Sequence, residues 1–278
     1  PASFNNHLGV PLSLLNIEQR HEYAVLEMGA SHCGEIRDLC EIAQPEVGVV
    51  TAIGQAHLEG FGDIDGVIRG KGELLESLLP TGFAVLPGDD SVTRAMALRA
   101  RCRTLFVGEH EDNDVIARHV HTVENTLSFQ VEGYEFQIPV NGRHHLTNAL
   151  IAVAMAREFG MEWTVIQEGL ASYVPLPGRC HVMHIGPWRV IDDTYNASPT
   201  AMAAALDVLA SATVAAGRRR FAVLGDMLEL GQASEVKHIA LGTQAGALRL
   251  DGVLACGDYA YAVAQGASRV GIPPGRLV

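Results

Sequence analysis

Three side chains that could bind a metal ion or handle a proton, Glu27, His57 and Lys71, lie within the first third of the sequence. A helix that starts near Asp63 would have one apolar face, and Lys71 falls on that face. The apolar members of the face are Ile64, Val67, Ile68, Leu75 and Leu78. Burying an ammonium group is costly unless the group is paired, neutralised or chemically changed. Either the lysine stem packs on the face while its charge reaches an acidic neighbour such as Glu73, or Lys71 has a chemical role.

The same three residues are predicted to meet at one edge of a sheet. Residues 47–53 (VGVVTAI) form a short β-branched run typical of a buried parallel strand, and His57 follows it. Residues 23–26 are predicted as a second strand that leads directly into Glu27. Because ligand sites of parallel sheets lie beyond the carboxyl ends of the strands, Glu27 and His57 should converge there with Lys71. This combination is suited to a Mg²⁺ and phosphate site.

A second group of polar residues lies in the other half of the chain. Residues 188–191 are predicted as a strand that ends in Asp192 and Asp193. Residues 141–160 are predicted as an Ala-rich helix whose first turns carry His144, His145 and Asn148, where a ligand could bind. Two adjacent histidines cannot face the same way on a helix, which disfavours a paired-histidine metal site.

Composition excludes several classes of protein. The 278 residues are 48% hydrophobic and 19% charged, which is typical of a globular protein, and no apolar run reaches membrane-spanning length. The net charge of −12 argues against nucleic acid or an anionic membrane as the main partner. The five cysteines are scattered and show no C-x-x-C, so we expect neither structural zinc nor disulfides. This cysteine usage fits a protein of a reducing cytoplasm.

Strand and helix patterns alternate through the chain, which predicts an α/β fold with a mostly parallel central sheet. After the segments already described, the predicted elements are a helix at 33–42, a strand at 83–86, a helix at 90–101 and a strand at 104–107. Residues 115–140 alternate apolar and polar, which predicts two or three antiparallel strands on the sheet edge.

A domain boundary is predicted at residues 173–179 (YVPLPGR), where prolines and glycine stiffen and punctuate the chain like a hinge linker. We therefore expect a central domain at 1–174 and a Rossmann-like domain at 178–278. The second domain should contain a helix at 200–209 and strands at 221–224 and 253–255, the last two ending in Gly-Asp.

The nearest approach to a phosphate-binding P-loop is residues 66–72 (GVIRGKG), which has the wrong spacing and the wrong last residue. The sheet strand and helix expected around a P-loop would have to precede Pro1. The chain as given is therefore expected to be an internal piece of a longer enzyme and inactive by itself.

Eight motifs in one order make the sequence similar to the Mur ligase family. They cover nearly the whole chain, and AHLEGFG and DDTYNASP are the most specific. The motifs are FNNHLGVP (4–11), LEMGAS (26–31), AHLEGFG (56–62), KGE (71–73), GRHHLTNAL (142–150), PGR (177–179), DDTYNASP (192–199) and LGDMLELG (224–231).

This resemblance implies a P-loop NTPase-like central domain without its P-loop, followed by a Rossmann-like domain. It also implies an ATP-dependent ligase of peptidoglycan biosynthesis in the bacterial cytoplasm, monomeric when full length. Two motifs, DDTYNASP and LGDMLELG, favour the family member that adds D-alanyl-D-alanine to UDP-N-acetylmuramoyl tripeptide through an acyl phosphate.

The resemblance also assigns roles to residues of the first domain. It identifies Glu27 and His57 as Mg²⁺ ligands and Lys71 as a lysine converted by CO₂ to a carbamate. A carbamate is an anion, so it would resolve the problem of an inward-facing cation. Asn5 and Asn6 fall in the segment near the sugar-nucleotide substrate.

For the nucleotide, the resemblance places Asn148 near the adenine and brings Arg179 and Asp193 onto ATP as the domains close. Ser3, His145 and Pro87 stand where the family usually has asparagine.

Other functions remain open at this point. Another Mur ligase or a folylpolyglutamate synthetase-like ligase would use the same residues. A metal-dependent hydrolase could use Glu27, His57 and Asp193, although these residues lie in different predicted domains. A binding module without catalysis would fit the absence of a P-loop.

Overall fold

A computed structural model describes residues 4–54, 57–123, 125–214, 217–248 and 250–270. The chain divides into two compact units. Unit 1 comprises Pro1–Ile116 with Leu150–Glu158, and unit 2 comprises Ala117–Ala149 with Phe159–Val278.

Unit 1 contains the helices and strands of the predicted parallel-sheet domain. In chain order they are α1 (Gly9–Leu14), α2 (Glu35–Ala43), β1 (Val47–Val49), α3 (Leu58–Phe61), α4 (Ile64–Ser77), β2 (Phe83–Pro87), α5 (Ser91–Ala97), β3 (Arg103–Gly108) and β4 (Val115–Ile116). Helix α6 (His145–Glu158) contributes its residues from Leu150 onward to this unit.

The four strands of unit 1 form one sheet in the order β1-β2-β3-β4, and every neighbouring pair is parallel. A core cluster that includes Val50, Leu75, Leu86 and Met96 buries the apolar side chains of the sheet against α4 and α5. The predicted α/β fold with a parallel sheet is confirmed.

Helix α4 matches its prediction closely. Its N-cap is Asp63, whose carboxylate accepts a hydrogen bond from the backbone N–H of Gly66 at 2.7 Å. Val67 and Leu75 are buried on the apolar face, and Lys71 is half-buried. The helix therefore begins at the predicted cap and buries the predicted apolar face.

The strand predicted at residues 23–26 is wrong. These residues form no strand in the structure, and the side chain of Val25 is 95% exposed. A strand requires a neighbour for its backbone groups, whereas further along the segment the N–H of Gly29 donates to the carbonyl oxygen of Asn5 at 2.8 Å. The inward alternation nevertheless persists, because Leu26 and Met28 pack on a core cluster of α1 and α2 while Glu27 is exposed.

Unit 2 begins with antiparallel strands and ends with an α/β segment. Its elements are β5 (Arg118–Val123), β6 (Thr126–Val131), β7 (Tyr134–Ile138), the start of α6, α7 (Trp163–Ala171), β8 (His181–Ile185), β9 (Trp188–Asp192), α8 (Pro199–Ser211), β10 (Phe221–Leu224), a 3₁₀ turn (Gly231–Ala233), α9 (Ser234–Ala247), β11 (Gly252–Ala255) and α10 (Ala260–Arg269).

Two sequence-based expectations for the antiparallel strands need correction. Strands β5, β6 and β7 form their own sheet rather than extending the edge of the parallel one, because Phe129 and Phe136 stack in a separate core beside Trp163. The strand predicted at 188–191 is the second half of a hairpin, since β9 pairs antiparallel with β8. The alternation of β8 is weak because its residues are only half-buried or exposed.

The end of unit 2 has the predicted α/β character. Strands β10 and β11 pair in parallel, and α9 packs closely on α10. Helix α8 starts where the motif predicts, with the Ser198 hydroxyl accepting from the N–H of Ala201 and Pro199 in the first helical position. In the part of the chain that the structure describes, every helix is too short or too polar to cross a bilayer.

Candidate functional site

Glu27 is oriented by Asn5. The side-chain amide of Asn5 donates to Oε1 of Glu27 at 2.8 Å, while the carbonyl oxygen of Asn5 accepts from the N–H of Gly29 at 2.8 Å. Asn5 therefore fixes this segment through both its side chain and its backbone. The neighbouring Asn6 has a different contact, since its side-chain oxygen accepts from the N–H groups of Leu8 and Gly9 at the start of α1.

His57 stands at the N-cap of the short helix α3 in the left-handed conformation, with φ of 56°. Gln55 and Ala56, which precede it, lie outside the described residues. Helix α3 is held on one side by Gly60, which lies so close to the carbonyl oxygen of Ser31 that a Cβ would not fit. Ser31 belongs to the segment that begins at Glu27, so this contact ties the helix after His57 to the segment after Glu27.

Helix α3 is also held against α4. The ring of Phe61 packs on Gly70, which likewise has no space for a Cβ. Gly70 directly precedes Lys71. The three segments that carry Glu27, His57 and Lys71 are therefore packed together through two close glycine contacts, one with the Ser31 backbone and one with the rigid Phe61 ring.

Lys71 itself is half-buried, and burial lowers the pKa of its ammonium group below the ordinary value. It forms no ion pair with any other residue in the described ranges. The expected alternative, in which its charge reaches Glu73, is not the arrangement found, because the Glu73 carboxylate binds the backbone of α2 instead. Lys71 is thus a partly desolvated amine without an acidic partner among the described residues.

Within the residues that the structure describes, no three His, Cys, Asp or Glu side chains are grouped so that they could hold a metal ion.

In unit 2, a hairpin brings Arg179 and Asp193 together. The guanidinium of Arg179 lies 3.9 Å from the centre of the Tyr195 ring, and the N–H of Tyr195 donates to the carbonyl oxygen of Gly178 at 3.1 Å. The carboxylate of Asp193 accepts from the N–H of Cys180 at 3.0 Å. The segments before β8 and after β9 are therefore joined at the site of both predicted residues.

The beginning of α6 lies within the electrostatic reach of this hairpin. Desolvation lowers the pKa of His144, and the negative charge of Asp193 opposes that shift. Asn148 is exposed in the first turn of the same helix. The structure thus groups Asn148, Arg179 and Asp193 in unit 2, and Glu27, His57, Lys71, Asn5 and Asn6 in unit 1.

His145 should make the chain sensitive to acid. Burial and the charge of His144 lower its pKa from 6.5 to about 4. Because the unfolded chain then binds a proton that the folded chain does not, stability is complete above pH 6.5 and falls as the pH drops toward 4. The effect at pH 5 is roughly 1–2 kcal/mol of unfolding free energy.

Replacing His145 by asparagine should therefore reduce the loss of stability between pH 7 and pH 5 by about that amount, as measured by urea unfolding at both pH values. The matched control is His184→Asn, which removes an exposed histidine from β8. If both variants reduce the loss of unfolding free energy between pH 7 and pH 5 equally, His145 does not cause the acid sensitivity.

Two contributors were missed from sequence. Tyr195 lies inside the DDTYNASP motif, but its stacking on Arg179 depends on a hairpin that the sequence analysis did not predict. Glu73 was considered only as an ion-pair partner for Lys71. The available sequence signal was a pair of glycines, Gly66 and Gly70, that lie seven and three positions before Glu73 and therefore on the same side of α4.

Two family models match the chain. The family model described as "Mur ligase middle domain" matches residues 1–156, more than half of the chain, and the model described as "Mur ligase, glutamate ligase domain" matches residues 178–273. The chain belongs to the Mur ligase family.

Among characterised Mur ligases, the chain is 34% identical over 276 residues to UDP-N-acetylmuramoyl-tripeptide–D-alanyl-D-alanine ligase of Escherichia coli K12, covering 97% of this chain and 60% of that protein. It is 38% identical over 260 residues to the ligase of the same name from Mycobacterium tuberculosis H37Rv, covering 90% and 51%. The chain therefore spans between half and three fifths of the length of these relatives.

Solved Mur ligase structures are similar throughout the chain. A crystal structure of MurF from Acinetobacter baumannii superposes with a TM-score of 0.91 at 35% identity, covering all of this chain and 60% of that one. MurF from Thermotoga maritima in complex with ADP gives a TM-score of 0.82 at 32% identity, covering 95% and 61%.

Proposed function

We propose that the chain is part of an ATP-dependent ligase that joins D-alanyl-D-alanine to UDP-N-acetylmuramoyl tripeptide in peptidoglycan synthesis. Relatives of that name match over nearly the whole chain at 34–38% identity. The family's acid–amine joining chemistry requires an acyl phosphate made from ATP and the substrate carboxylate, followed by attack of the dipeptide amine. The proposed setting is a monomer in the bacterial cytoplasm, with residues 1–174 and 178–278 as its domains.

The observation that carries the proposal is the interlocked packing of the segments that bear Glu27, His57 and Lys71. Gly60 fits against Ser31, and Phe61 fits against Gly70, so the three segments have little freedom to move apart. Tight fixation of polar groups is the main protein contribution to phosphoryl transfer, where positioning and charge stabilisation dominate.

The residues present suit a magnesium site. The Glu27 carboxylate is exposed and oriented by the Asn5 amide, and His57 follows at the start of α3. Lys71, as a carbamate, would supply a further oxygen and remove the burial cost of a cation. Bound Mg²⁺ would offset the negative charge of the phosphates. Glu27, His57 and carbamylated Lys71 are the residues proposed to hold it.

For the nucleotide, we assign Asn148 to the adenine and Arg179 with Asp193 to ATP. The ADP complex named for the Thermotoga maritima MurF supports nucleotide use by this type of ligase. In this chain the Tyr195 ring holds the Arg179 guanidinium in place, and the Cys180 N–H orients the Asp193 carboxylate. Asn5 and Asn6 remain assigned to the sugar-nucleotide substrate, with Asn5 also orienting Glu27.

The test is phosphate release by the enzyme that carries this sequence, with each substrate omitted in turn. Release that needs ATP, UDP-N-acetylmuramoyl tripeptide and D-alanyl-D-alanine together supports the proposal. Phosphate release that requires a different amino acid or folate in place of these substrates would favour another ligase of the same type. Hydrolysis of a substrate in the absence of ATP would favour the metal-dependent hydrolase.

A further inference from the structure

Glu73 is a buried carboxylate whose partners lie on another helix. It is 4% exposed. Its two oxygens accept from the backbone N–H of Gly34 at 2.7 Å and from that of Arg37 at 3.2 Å, both at the start of α2. The Arg37 guanidinium, 3.8 Å away, offsets part of its charge.

Helix α2 has no N-terminal cap from its own side chains. Its N-cap is Gly34, with φ of 98° and no side chain to accept a bond. The first N–H groups of a helix need acceptors, and a negative charge there is favourable. Glu73 supplies both from α4, and the bond therefore fixes the position of α2 on α4.

The start of α2 in turn fixes the segment that follows Glu27. The Glu35 carboxylate, in the first turn of α2, accepts from the N–H groups of Ser31 at 2.7 Å and His32 at 3.1 Å. A continuous series of hydrogen bonds thus leads from Glu73, two residues after Lys71, to Ser31, four residues after Glu27.

We propose that Glu73 is a positioning residue that holds the Glu27 segment at a fixed place relative to Lys71. The inference rests on the proposed function, because it concerns the two residues assigned to one magnesium site. In this role Glu73 acts through the amides of α2 and not as a ligand of the metal.

A purely stabilising role explains Glu73 poorly. Burying a carboxylate is costly even when it is paired, and a capping side chain within α2 would satisfy the same amides without that cost. A long-range cap does something that a local cap cannot, since it sets the distance between two helices. This reasoning predicts that shortening Glu73 matters even when its charge is kept.

The experiment uses the full-length enzyme that carries this sequence, supplied with ¹³C-labelled bicarbonate. The carbamate carbon of Lys71 is followed by NMR during titration with Mg²⁺, and exchange of the amides of residues 31–37 is followed by mass spectrometry. Loss of the signal in Lys71→Ala, with the signal kept in Lys237→Ala, assigns it to Lys71. The variants are Glu73→Ala and Glu73→Asp.

The matched control is Glu76→Gln, one turn further along α4. Glu76 is half-exposed and pairs with side chains of Arg99 at 2.8 Å and Arg37 at 3.8 Å, but it does not cap α2. If Glu73→Ala does not fold, Glu73→Asp, which keeps the negative charge, provides the test. Thermal unfolding of each variant verifies that the chain is folded.

We expect both Glu73 variants to exchange the amides of residues 31–37 at least tenfold faster and to raise the Mg²⁺ midpoint at least tenfold, with Glu76→Gln unchanged. Folded Glu73 variants with a wild-type Mg²⁺ midpoint would overturn the positioning role, whatever their exchange rates. A wild-type chain without any Mg²⁺-sensitive carbamate would overturn the proposed magnesium site itself, and the role of Glu73 with it.

Discussion

In the full-length enzyme that carries this sequence, replacing Lys71 by alanine is expected to remove nearly all ligase turnover, by a factor of roughly 10²–10³ or more, as losing one charge-stabilising group does in other enzymes. Lys71 is half-buried on α4, has no acidic partner among the described residues, and lies next to the Gly70 contact that ties it to the His57 segment. Removal of its proposed carbamate would take away one of the three groups proposed to hold Mg²⁺ and one of the two that carry negative charge.

The measurement is D-alanyl-D-alanine-dependent phosphate release with and without added formate or acetate. A short carboxylate can occupy the space left by the side chain, so partial recovery of turnover is expected in Lys71→Ala. The other lysine of the chain, Lys237 on α9, provides the control, and Lys237→Ala should keep wild-type turnover. Undiminished turnover in Lys71→Ala without any carboxylate would reject the assigned role.

The position of Lys71 could be predicted because it depends on one helix. Spacing of apolar residues and the Asp63 cap are local signals, and they determined α4 and its inward face correctly. The same applies to α8, which begins at Pro199 after its Ser198 cap. Local pattern is sufficient where an element's own residues determine its boundaries.

Features that depend on a partner could not be predicted. Residues 23–26 have strand composition, but a strand needs another strand to bond with, and Gly29 bonds to Asn5 instead. The bonds from Glu73 to Gly34 and Arg37 cross between helices 36 or more positions apart in sequence. The apolar pattern of α4 places Glu73 on the side opposite to Val67 and Leu75, so it shows neither the burial of this carboxylate nor the amides that it meets.

The hairpin of β8 and β9 could not be predicted for the same reason, because each strand depends on the other. Sequence motifs identified Arg179 and Asp193 as a pair of interest, but their proximity follows from the antiparallel register of two short strands. Since β8 is only half-buried or exposed, it has no clear apolar alternation from which the register could be predicted.

In the full-length enzyme, replacing Asp193 by alanine is expected to lower turnover by roughly 10²-fold while leaving binding of the UDP-substrate nearly unchanged. The reason is that Asp193 is assigned to ATP, whereas the sugar nucleotide is assigned to Asn5 and Asn6 in the other unit. Turnover is measured by phosphate release, and substrate binding by calorimetric titration. Asp207→Ala, which removes an exposed carboxylate from α8, is the control and should change neither quantity.

Cys180 distinguishes a local effect of Asp193→Ala from general unfolding. Burial, with the charge of Asp193 adding to it, raises the pKa of the Cys180 thiol to about 12, so the thiol should be unreactive at pH 8. Losing the carboxylate removes the smaller, electrostatic part of that shift, so modification of Cys180 should quicken modestly while burial still protects it. If UDP-substrate binding falls as far as turnover and Cys180 becomes as reactive as the exposed Cys256, then Asp193 maintains the fold instead of acting on the nucleotide.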